Sequence, residues 1–224
     1  METTSTVKTP KRQKRTPWNR DRAVGQKTPF TLSQAKMIKE RLEDKIKRSD
    51  KRSPKALRDL ALFSTALDTM LRSSDLRPLQ VSDVERPDRE IRIELFLKQK
   101  KTGNVHLVEL SEKTRDVLKR WIKVSKKSQG DYLFTGLTHK TRFKPITQQQ
   151  YASLVKEWAK MIGLDEKSFS THSTRRTKAS LVYERTGNIE AVRQLLGHTS
   201  LGSTQHYLNV SKKDALKLAR EVEI

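Results

Sequence analysis

The sequence predicts a mainly α domain carrying one small antiparallel β-sheet, an α+β class in which helices dominate. Apolar residues recur at helical spacing in several separate stretches. One stretch instead alternates with period two and resumes after Lys101-Thr102-Gly103-Asn104, which is a hairpin pattern. Gly163 and the pair Gly187-Asn188 then break the second half into short helices.

Residues 1–28 are rich in Lys, Arg, Thr and Pro, with Lys11, Arg12, Lys14 and Arg15 among them and Trp18 and Val24 as rare anchors. They read as a mobile basic arm, expected to be disordered, serving either as a nonspecific grip on phosphates or as a solubilising tail. The folded domain is expected over residues 29–224. Its first helix follows Thr31 or Ser33 as cap and presents Leu32, Ala35, Ile38, Leu42 and Ile46. A second starts after Ser53, with Pro54 in its first turn, carries Ala56, Leu57, Leu60, Ala61, Phe63 and Leu67, and ends near Met70. The hairpin comes next, Ile91, Ile93 and Leu95 alternating with polar residues up to Leu97, and Val105 to Leu110 forming the return strand. Ser111 caps a helix presenting Val117, Leu118, Trp121 and Ile122, and Thr147 with Gln150 forms the capping box of another that runs through Met161. Helices continue to the end, where Ala215, Leu218, Ala219 and Val222 form an apolar stripe.

The 48 Lys and Arg against 26 Asp and Glu give a formal charge of +22, which points to a polyanionic partner and first of all to nucleic acid. A basic protein of another kind, such as a ribosomal component, carries the same charge, so charge alone does not decide. Only 33% of residues are hydrophobic, but the arm accounts for much of that dilution and the remainder can bury a core. Zero cysteines exclude a disulfide framework, a thiolate metal site and a Cys nucleophile. No apolar run approaches the roughly 18 residues of a membrane span, and no secretory signal is visible. A cytoplasmic protein with no membrane association is expected.

The densest information lies between Thr171 and Asn209. His172 and Arg175 form H-x-x-R, Leu196-Gly197-His198 follows, and Tyr207 ends Thr204-Gln205-His206-Tyr207. In order and spacing this set resembles the tyrosine recombinase, or phage integrase, family. Two upstream segments extend the resemblance. Leu71-Arg72-Ser73-Ser74-Asp75-Leu76 matches the family's early Arg at a helix end, and Lys101-Thr102-Gly103 matches its hairpin Lys. Two positions depart from the pattern, Arg176 where the family commonly has His and Thr174 where Leu is frequent.

The resemblance implies phosphoryl transfer at a DNA phosphodiester through a 3′-phosphotyrosyl intermediate, with Tyr207 as nucleophile. Arg72 and Arg175 would clamp the nonbridging oxygens bidentately, a task Lys performs less well. His172 would assist removal of the phenolic proton, His198 would donate to a nonbridging oxygen, and Lys101 would protonate the departing 5′ oxygen. Lys98 and Lys100 remain alternatives to Lys101, because hairpin register decides which lysine reaches the phosphate. Asp75, where the family usually has Glu, would orient Arg72 or His172 from behind. No metal or cofactor is expected.

The family fold is the one the elements predict. The chain is expected to be its catalytic domain without the helical DNA-binding domain that precedes it in most members. Expected partners are double-stranded DNA and further copies of the chain, as a tetramer on two DNA sites, with accessory DNA-bending proteins allowed. The segment 211–224 would pack on a neighbouring protomer or at home. A prokaryotic, nucleoid-associated protein of a mobile element, phage or plasmid is the implied setting. Two alternatives stay open on the sequence: a type IB topoisomerase with similar chemistry, and a noncatalytic DNA-binding regulator on the same fold.

Overall fold

The computed structural model describes residues 26–48, 54–208 and Arg220. Most of the basic arm and the terminal stripe of Ala215, Leu218, Ala219 and Val222 therefore lie outside the described residues.

Helix α1 (Leu32–Arg48) buries Ala35, Ile38 and Leu42 along one face. The expected stripe begins a turn late, because Leu32 is 46% exposed and Phe30, just ahead of the helix, fills that end of the core instead. Helix α2 (Lys55–Thr69) is buried around nearly its whole circumference, packed by α1, by α5 (Glu112–Ser125) and by α7 (Thr171–Thr186). It stops at Met70, whose left-handed backbone (φ 48°) bonds its N–H to the Ala66 carbonyl and reverses the chain. Two single turns follow, α3 (Ser73–Leu76) and α4 (Val81–Val84). Neither is legible in the sequence, since four residues are too few to show a helical period.

Strands β1 (Glu94–Lys98) and β2 (Val105–Glu109) pair antiparallel, with Leu95 opposite Val108 and Leu97 opposite His106. Gly103 closes the turn at φ 73°, its N–H bonded to the Gln99 carbonyl at 2.8 Å. The chain bends at Ile93, ahead of the ladder, so Ile93 is exposed rather than inward, while Ile91 bridges to Glu85 and is buried. Among the described residues these two strands form the sheet.

The α5 cap is Ser111, and the Thr147–Gln150 capping box opens α6 (Gln148–Met161) with both reciprocal hydrogen bonds formed. After α7, Gly187 (φ 64°) ends one helix and Asn188 caps the next, α8 (Ile189–Leu196). Gly197 (φ 60°) ends that helix in turn, and α9 (Leu201–Leu208) follows. One core joins α1, α2, α5, α6 and the hairpin. A smaller one, formed by Met70, Ala179, Val192 and Leu196, carries Tyr207 and Leu208 against it. No helix among the described residues is long and apolar enough to cross a membrane.

Candidate active site

The seam between the two cores is lined by cations. Arg72 follows the Met70 reversal and caps α3 in an extended conformation, which turns its side chain toward the hairpin. There its Nη1 donates to Oε1 of Gln99 at 2.7 Å. Gln99 is 1% exposed and also accepts from the Thr102 hydroxyl at 3.0 Å, so the base of the turn and Arg72 share one acceptor. Asp75 accepts from the backbone N–H of Lys100 at 3.1 Å. Its hydrogen bonds thus run to the hairpin and to Ser74, and not to Arg72 or His172. Its second oxygen is buried without a partner, and its charge favours the protonated form of Arg175.

The first two turns of α7 supply His172, Arg175 and Arg176. Ser170 caps the helix, accepting from the His172 N–H at 3.2 Å. The His172 residue is exposed, yet partial desolvation and then the guanidiniums of Arg175, Arg176 and Arg72 lower its pKa, so the ring is neutral at pH 7. Arg175, one turn further, is 2% exposed. Its Nη2 donates to the Leu196 carbonyl at 2.7 Å and lies 3.5 Å from Nε2 of His198. Burial pushes its guanidinium down to about 10, which leaves it charged at neutral pH.

His198 leaves α8 just after the Gly197 cap. Its carbonyl accepts from Arg193 Nη1 at 2.6 Å, and its Nδ1 shares a hydrogen bond with the Thr204 hydroxyl at 3.0 Å. Burial, with Arg175, Arg72, Lys101 and Arg193 adding to it, pushes this imidazole down to about 4. Lys101 of the hairpin adds to the field at His198, while Lys98 lies on the exposed outer face of the ladder.

Tyr207 stands on α9 with its ring edge-on to His198, centroids 5.3 Å apart. The guanidinium carbons of Arg175 and Arg176 lie 5.8 Å and 5.6 Å from its centroid. Its hydroxyl is buried and has no hydrogen-bond partner. Arg175 acts on that oxygen both through its field and through a close side-chain approach that falls short of full hydrogen-bond geometry. Burial raises the phenol to about 12, against the pull of Arg175, Arg176 and Arg72. Arg72, Lys101, His172, Arg175, His198 and Tyr207 are thus drawn together from five points of the chain.

Sequence reasoning passed over Gln99 and His106. Both sit at inward positions of the alternation that buries Leu95 and Val108, and a polar residue at a core-facing strand position is the signal that could have found them. His106 Nε2 lies 3.1 Å from the Leu195 carbonyl, and burial with the field of Arg175 lowers its pKa. His106 thus fastens the hairpin to the end of α8, while Gln99 ties it to Arg72. Arg176, noted only as a departure, faces the tyrosine.

A family model described as the phage integrase family matches residues 29–214. The chain is 28% identical over 172 residues to tyrosine recombinase XerC of Actinobacillus pleuropneumoniae, covering 76% of this chain and 53% of the relative. It is 31% identical over 165 residues to the probable integrase/recombinase YoeC of Bacillus subtilis, covering 74% and 84%. The chain spans about half the length of most of the curated relatives it matches. In fold it is similar to the XerH site-specific recombinase solved as a pre-cleavage complex with difH substrate, with TM-score 0.65 and 22% identity over 86% of this chain and 53% of that one.

Proposed function

Because the chain belongs to the phage integrase family, we propose that it is a tyrosine site-specific recombinase that cuts and rejoins double-stranded DNA through Tyr207. One observation carries the reading. A buried phenol stands edge-on to His198 and beside Arg175, with Arg72 and His172 in the same cationic field, a set of groups suited to a phosphodiester in the act of exchange.

In this reading the Tyr207 oxygen attacks phosphorus, the bond to the 5′ oxygen breaks, and a 3′-phosphotyrosine and a free 5′-hydroxyl result. Arg72 and Arg175 balance the charge that spreads over the nonbridging oxygens. Neutral His172 takes the phenolic proton, His198 donates to a nonbridging oxygen, and Lys101 returns a proton to the leaving 5′ oxygen. Asp75 acts through the hairpin, holding the backbone beside Lys101. Since the Tyr207 hydroxyl is enclosed, α9 shifts when DNA enters. Attack by a 5′-hydroxyl from the same or a partner duplex reverses the step, and exchange of ends makes it recombination.

Residues 29–224 form the catalytic domain in this proposal, the basic arm of residues 1–28 adds phosphate contacts, and segment 211–224 exchanges between protomers of a tetramer on two sites. The protein works in the cytoplasm at the nucleoid. A noncatalytic regulator would have no need of a buried, arginine-faced tyrosine. The test is adduct formation on a nicked suicide duplex bearing the chain's own flanking DNA. A covalent band that disappears in Tyr207→Phe is expected; intact binding with no band from the native chain would overturn the reading.

A further inference from the structure

Arg176 has no task in the scheme above, yet it is buried to 6%. Placing a guanidinium in such surroundings costs several kcal/mol unless something offsets the charge. Among the described residues no carboxylate pairs with it. Its Nη1 donates to the Lys27 carbonyl at 2.6 Å, its Nε is buried without a partner, and its guanidinium carbon lies 5.6 Å from the Tyr207 centroid. The Lys27 carbonyl is itself held in place. Thr28 N–H bonds to the Ser168 carbonyl at 3.1 Å, Phe30 N–H to the Thr177 hydroxyl at 3.0 Å, and the Phe30 ring stacks on Phe169 at 4.5 Å. The guanidinium is therefore fixed at one end to the backbone, and the remaining electron-rich group beside it is the phenol.

We propose that Arg176 is a positioning residue for Tyr207, holding the ring in the pocket and offsetting the charge that develops on the phenolic oxygen as its proton leaves. This rests on Tyr207 being the nucleophile. The other charged or titratable groups around that ring are Arg175 on α7, Arg72 ahead of α3, His198 after α8, Tyr151 on α6, whose hydroxyl is bonded to Thr174 at 2.8 Å, and His172, which shares the field of the three arginines and takes the phenolic proton in the scheme above. Arg72 and Arg175 are committed to the phosphate, His198 is neutral, and Tyr151 carries no charge. Arg175 acts on the phenol as well as on the phosphate, so Arg176 is the cation beside the ring that the phosphate scheme leaves without a task.

The test is the pH–rate profile of single-turnover adduct formation at saturating DNA for the native chain, Arg176→Lys and Arg176→Met. Arg176→Met is expected to slow adduct formation about tenfold at neutral pH and to keep gaining rate at higher pH than the native chain does, with Arg176→Lys in between. A native rate and profile in Arg176→Met, or a slower rate with an unmoved profile, would overturn the assignment. Carbon-13 NMR of tyrosine-labelled, DNA-free protein separates this from failure of the nucleophile reading. The Tyr207 resonance, identified by its loss in Tyr207→Phe, is expected to move in Arg176→Met; an unmoved resonance would overturn the contact even if no adduct ever forms.

Discussion

A methyl group on Gly197 would overlap the Nε2 of Gln99. The residue ends α8 at φ 60°, and a Cβ there would also lie 3.0 Å from Nδ1 of His106. The close approach of helix end to hairpin is what sets His198 beside Arg175 and leaves Gln99 free to accept from Arg72.

Gly197→Ala is therefore expected to destabilise the fold by about 2 kcal/mol or more, from the left-handed backbone and from the overlap together. Equilibrium denaturation measures it. A loss under about 0.5 kcal/mol would show that Gln99 moves aside freely and that the approach is not tight.

Thr204 is fully buried and bonds to His198 Nδ1. Thr204→Val keeps the shape and removes the hydroxyl, so adduct formation is expected to fall at least about tenfold with little change in melting temperature, and Thr204→Ser to restore most of it. Native-rate cleavage by Thr204→Val would mean that packing alone orients the imidazole.

Among the hairpin lysines, Lys101→Ala is expected to slow cleavage at least about a hundredfold, the range of a lost general acid. Lys98→Ala and Lys100→Ala are expected to stay within about twofold at saturating DNA. A duplex with sulfur at the bridging 5′ position needs no proton on its leaving group and should restore Lys101→Ala. Failure of that rescue would assign Lys101 to binding instead.

Acid should weaken the fold through its histidines. His198 titrates near 6.5 when unfolded and near 4 when folded, and His106 and His172 are lowered in the same direction. Between those values the unfolded chain binds the extra protons, so stability is fully present above about pH 6.5 and declines as pH falls toward about 4. Melting temperature across that window should drop for the native chain and drop less for His198→Gln. Equal slopes for the two would show that His198 is not buried neutral.

Much of this was legible in advance because it is local. The Thr147–Gln150 box, the turn at Gly103 and the Gly187-Asn188 break are each set by a few neighbouring residues, and turn and cap chemistry act over that range. The ordered run from His172 to Tyr207 is also short enough to read as a motif. Ile93 and Leu32 were misread because their exposure depends on a bend and on Phe30, neither of which alters the periodicity. Gln99 and His106 were passed over because their importance lies in contacts with Arg72 and Leu195, 27 and 89 residues away.

The sequence by itself determined the class of fold, the caps and breaks that bound several of the longer helices, and the candidate groups for handling a phosphate, since each depends on side-chain chemistry at fixed spacing. The tertiary structure alone decided that Lys101 adds to the field at His198, that Asp75 holds a strand turn, and that Arg176, tied to Lys27 across 149 residues, faces the tyrosine. The reason is physical: spacing along a chain specifies local conformation, whereas the field at a titratable group is summed over whatever packing brings near, from any distance in sequence.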